Sequence, residues 1–83
     1  MQALAEKTDI VIDVRNFVSW FSLLKVTQVF GEMKPEEILE VRGADTDTRQ
    51  DLFKILPEST YRIIKVDYHE DEDFDLLRIQ KRV

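Results

Sequence analysis

Few residues in this chain are equipped for chemistry, and most of those are carboxylates. Ser19 stands directly ahead of Trp20-Phe21-Ser22-Leu23-Leu24, a position open to a nucleophile or to the cap of a helix. A nucleophilic serine needs a positioned base and a third group that orients it. The single histidine, His69, falls in an acidic stretch far along the chain, so a helix N-cap is the simpler role for Ser19. Asp71, Asp73 and Asp75 match the first three ligand positions of a calcium loop. The match then fails, because Leu76 stands where the loop needs glycine and Arg82 where it needs a bidentate glutamate. A charged hairpin turn accounts for these acids, and His69 beside them is one metal ligand without a set. The chain has no cysteine, which excludes disulfides, thiol chemistry and cysteine-ligated metal centres. It also lacks a glycine-rich phosphate loop, a zinc spacing and a recognisable catalytic carboxylate pair. No metal site and no cofactor is expected.

The elements that must position these residues are legible from periodicity. Asp9 to Arg15 alternates, with Ile10, Ile12 and Val14 on one face, and reads as a strand. Leu23, Val26, Phe30 and Met33 recur at helical spacing, widened by Trp20, Leu24 and Val29, so a helix is expected from Ser19 to Met33. Lys34-Pro35 ends it. Glu37 to Arg42 reads as a second strand. A helix between two strands makes a βαβ unit, so these strands should be parallel with a right-handed crossover. Asp47 or Thr48 is placed to cap a second helix through Leu56, with Leu52, Phe53, Ile55 and Leu56 as its apolar content. Tyr61 to Tyr68 and Phe74 to Ile79 read as an antiparallel hairpin around an acidic turn, His69 to Asp73. The predicted order is β-α-β-α-β-β. It implies a two-layer α/β sandwich, a four-stranded mixed sheet with both helices on one face and Ile64 and Val66 beneath them.

Composition bounds the rest. Eighty-three residues make one domain, with residues 1–8 expected to be a flexible N-terminus. A chain this short buries only about 60% of the surface exposed on unfolding, so stability should be modest. The hydrophobic share of 43% is too high for a disordered chain. Two glycines and two prolines imply short loops. A formal charge of -5 opposes binding to nucleic acid or to an anionic membrane surface. The opening residues are too short and too charged for a signal peptide, and Asn16 to Leu24 is far shorter than the ~20 residues that span a bilayer. No membrane insertion is expected, and a cytoplasmic location is.

Order and spacing together resemble the TusA/SirA family of small sulfur carriers. Family members carry Asp-Leu-Arg-Gly at the end of strand one, Cys-Pro-x-Pro at the head of helix one, Leu-Lys within that helix, and Lys-Pro-Gly-Glu-x-Leu-Glu-Val at strand two. This chain offers Asp13-Val14-Arg15-Asn16, Ser19-Trp20-Phe21-Ser22-Leu23-Leu24-Lys25 and Lys34-Pro35-Glu36-Glu37-Ile38-Leu39-Glu40-Val41. Asp51-Leu52 and Ile63-Ile64-Lys65-Val66 continue the match, which runs without a gap from about residue 9 to 79. The departures carry the information. Ser19 occupies the position of the family's persulfide cysteine, Trp20 and Ser22 those of its prolines, and Asn16 and Glu36 those of two glycines.

A hydroxyl cannot hold sulfur as a persulfide, so the chain is expected not to be an enzyme. The resemblance implies instead a protein–protein interaction or regulatory module, with sulfurtransferases and sulfur-relay proteins as its class of partner. Asp13, Arg15 and Lys25 match positions around the family motif and are expected to rim that surface. Trp20 and Phe21 are candidates either for the core or for an interaction anchor, since aromatics dominate binding hot spots. Two alternative readings stand against this one: a sulfur-relay accessory that works with a partner's cysteine, and metal or small-ligand binding at the acidic hairpin.

Overall fold

The computed structural model describes residues 8–69 and 74–83. Its elements are β1 (Ile10–Asp13), α1 (Ser19–Glu32), β2 (Ile38–Arg42), α2 (Thr46–Ile55), a short 3-10 turn (Glu58–Thr60), β3 (Tyr61–His69) and β4 (Phe74–Lys81). The strands form one mixed sheet in the order β1-β2-β4-β3. β1 and β2 are parallel, with Ile10 beside Leu39 and Ile12 beside Val41. β4 runs antiparallel to both β2 and β3.

Side chains alternate across a sheet. This register therefore puts Ile10, Ile12, Leu39, Val41, Leu77 and Ile79 on one face. Those strand residues pack with Val26 and Phe30 of α1 and with Leu52 of α2, and Met33 and Leu56 just past the helix ends join the same core. Both helices thus cover the same face, and the protein is the two-layer α/β sandwich that the element order implies. Each fully buried Leu or Ile side chain here contributes about 1.5–3 kcal/mol.

Four expectations are corrected. Ser19 is the first residue of α1 rather than its cap. Val18 holds the cap position in extended geometry and makes no side-chain cap. The Val18 carbonyl accepts from the Ser22 amide at 2.9 Å and from the Ser22 hydroxyl at 3.2 Å, so the helix ladder begins one residue early. α2 likewise starts early: Asp45, not Asp47 or Thr48, is its cap, accepting from the Thr48 amide at 2.8 Å.

The inward face of α1 also differs. Ser22, Val26, Phe30 and Met33 are buried, whereas Trp20 is 69% and Leu24 56% exposed. At about 100° per residue, Trp20 and Leu24 stand across the helix from Ser22 and Val26. Ile55 of α2 is exposed as well.

On β3, Ile64 and Val66 are exposed rather than buried beneath the helices. Val66 does lie opposite Leu77 on the helix face, but a bulge between Ile63 and Lys65 breaks the alternation, and β3 is the sheet's edge. Only the start of β3 is covered by a helix: the Tyr61 ring stacks on Phe53 of α2 at 5.7 Å.

Two backbone positions need special conformations. Gly43 has φ 89°, and Glu36 has φ 79°, a region that glycine enters freely and other residues rarely do. Glu36 is held there by its backbone N–H, which donates to the Lys81 carbonyl at 2.7 Å. The Lys81 ammonium in turn donates to the Phe30 carbonyl at 2.7 Å and Gly31 at 3.2 Å, satisfying the end of α1 where the helix dipole is negative.

Candidate interaction site at the start of α1

Parallel pairing brings the ends of β1 and β2 together, and the start of β4 lies beside them, because Asp13 pairs with Arg42 and Arg42 with Leu76. The β1–α1 connection, the β2–α2 connection and both helix N-termini therefore gather at one end of the sheet.

Asp13 and Arg15 meet there. The Arg15 backbone amide donates to Asp13 Oδ1 at 3.0 Å and its guanidinium Nε to the same oxygen at 2.9 Å. These bonds, side chain first, hold the Asp13 carboxyl below its usual range. The Arg15 guanidinium lies 4.9 Å from the centre of the Phe74 ring, with that of Arg42 at 6.0 Å from the same ring. Phe74 is thereby buried on the face that carries no helix.

That helix-free face is organised around Glu40, which is only 3% exposed. Its carboxylate accepts from Arg78 Nε at 2.8 Å on one oxygen and from Arg42 Nε on the other. Burial pushes the Glu40 carboxyl up, but hydrogen bonds and charge from Arg42 and Arg78 outweigh it, and the net displacement is downward. Glu40 lies within the segment that carries the resemblance, but its spacing gives no hint of this network.

The solvent side of the α1 start is aromatic. Phe17, Val18, Trp20, Phe21 and Leu24 are all exposed. The Phe17 and Phe21 rings meet edge to face at 4.9 Å, and those of Trp20 and Phe21 at 5.8 Å. Trp20 and Phe21, open between core and surface in the sequence, are on the surface. Phe17, Val18 and Leu24 join them and were missed. The available signal was the apolar pair Phe17-Val18, which precedes the helix with no strand or stripe to join.

Ser19 is exposed within this patch. Lys25 is exposed one turn beyond Phe21. Asp13 and Arg15 are thus brought together at the end of β1, while Lys25 lies further along α1.

Asp71 and Asp73 of the acidic hairpin lie outside the described residues. Asp75 is in β4 and pairs with Arg49 at 3.4 Å. Among the described residues no group of three His, Cys, Asp or Glu is placed to hold a metal ion. Among them, too, no helix is long and apolar enough to cross a membrane. No protein-family model matches the chain, and no curated protein matches it either.

Proposed function

We propose that this chain is a cysteine-less, TusA-like module that acts by protein–protein contact through the aromatic start of α1. One observation carries the reading: Trp20, 69% exposed, is packed edge to face with Phe21 around the position where the resemblance puts the sulfur-carrying cysteine. Sulfur transfer requires donor and acceptor to approach that position directly. Replacing the cysteine by Ser19 removes the carrying atom and leaves the docking surface. Replacing a proline by Trp20 enlarges it with an amphipathic ring of the kind that anchors interfaces.

A second feature supports the kinship. The resemblance sets a glycine at Glu36, and Glu36 has the positive φ that a glycine would hold without strain. The partner class is a sulfurtransferase or sulfur-relay protein, whose docking site this module occupies or modulates, and a cytoplasmic setting belongs to the same reading.

The test is incubation with a cysteine desulfurase and cysteine, followed by intact-mass measurement and a binding assay. The expected result is association without any reducible gain of sulfur. A sulfur adduct on this chain would overturn the non-catalytic reading. Binding together with faster sulfur flow to an acceptor would favour an accessory that uses its partner's cysteine.

A further inference from the structure

β3 is the edge of the sheet, and no strand among the described residues pairs with its outer side. Edge strands invite pairing with another chain unless something prevents it. β3 has no proline in its nine residues, and its bulge falls near its start, leaving Lys65 to His69 regularly paired with β4 on the inner side. Val66 and Tyr68 are each about half exposed, and Ile64 is exposed at the bulge.

The sequence of this strand has a centre. Outward from Val66, Lys65 on one side is matched by Asp67 on the other, and Ile64 by Tyr68. Opposite charges stand at equal distances from Val66, and so do apolar residues. A pattern of this kind is complementary to itself in antiparallel pairing about a two-fold axis. Centred on Val66, each Lys65 faces the partner's Asp67 and each Ile64 faces the partner's Tyr68. Centring the axis on Lys65 or Asp67 instead would set like charges directly opposite, which is unfavourable.

We infer that β3 is a self-association edge, through which two copies of this chain pair antiparallel about Val66 and join their sheets into one. The apolar residues supply the buried surface and the charges fix the register. Lys65 and Asp67 already pair within the strand at 3.7 Å, so each charge gains a second opposite neighbour in the dimer. This inference is independent of the sulfur-relay reading.

Sedimentation across a wide concentration range tests it. The wild-type chain should dimerise reversibly. Lys65→Glu, which crowds acids around the axis, should weaken the dimer about tenfold or more. Combining Lys65→Glu with Asp67→Lys restores complementarity and should restore the dimer. Register is read by Val66→Cys, which is clean because the chain has no cysteine. Directly opposed residues in antiparallel strands have Cα atoms about 4.5–5.5 Å apart, within disulfide range. Val66→Cys should therefore cross-link on mild oxidation, and Ile63→Cys should not. A wild-type chain monomeric into the millimolar range, or equal cross-linking at both sites, would overturn the inference. So would a dimer lost in Trp20→Ala and indifferent to Lys65→Glu. Circular dichroism melts establish that each variant is folded.

Discussion

Gly43 leaves the space that the Arg15 side chain occupies: a Cβ on Gly43 would clash with Arg15 Cγ. With φ 89° as well, this glycine is required twice, by conformation and by contact. Gly43→Ala should destabilise the fold by about 1–3 kcal/mol and loosen Arg15 from Phe74. Glu36→Gly, which relieves the other positive φ, should leave stability unchanged or raise it. Denaturant titrations of the two variants check both signs, and a neutral Gly43→Ala would contradict this geometry.

Glu40 should make stability depend on acid. Its carboxyl is held below the usual range in the folded chain. The stability this contributes is therefore fully present above the unfolded glutamate's pKa and lost as pH falls through the folded value. Asp13 and Asp45 are displaced in the same direction and act with the same sign. Glu40→Gln should cost about 1–3 kcal/mol at neutral pH, because the carboxylate charge is lost and one of its two acceptor oxygens becomes an NH2 facing an arginine donor. It should also flatten the acid limb of the stability profile. An unchanged acid limb would show that Glu40 contributes nothing to it.

The inward face of α1 and α2 is tested by a contrast. Leu52 is 2% exposed, and Leu52→Ala should cost about 2–5 kcal/mol. Leu24 is on the solvent side, and Leu24→Ala should stay within about 0.5 kcal/mol. Equal effects would mean that α1 is rotated from the orientation described.

How much of this was readable in the sequence follows from where each signal originates. The alternation of Ile10, Ile12 and Val14 is local, and it gave the strand and its face correctly. The period of α1 was equally clear, but apolar residues lie on both sides of that helix. Only tertiary packing decides that Ser22 goes inward while Trp20 and Leu24 go out. Ile64 and Val66 were misjudged because a bulge and an edge position depend on which strand pairs with which. Asp13 and Arg15 are two residues apart at a strand end, so their contact was within reach of sequence reasoning. The meetings of Arg15 with Phe74 and of Glu40 with Arg78 depend on long-range register and were not.

Ser19→Cys probes the motif position directly. As the first residue of α1, a thiol there sits at the positive end of a helix dipole. Its pKa should fall below the ~8.5 of a free cysteine, measured as the pH dependence of alkylation rate. An unshifted or raised pKa would remove the electrostatic likeness to a carrier site.

Whether the aromatic start of α1 is a docking surface is decided by a binding titration. Wild type and Trp20→Ala would each be titrated calorimetrically against a cysteine desulfurase, with melting temperatures measured in parallel. Wild type should bind, and Trp20→Ala should weaken binding about 30-fold or more, as loss of a central aromatic anchor does, while the melting temperature stays put. Equal affinities, no binding by the wild-type chain, or a Trp20→Ala variant that loses its fold would contradict it.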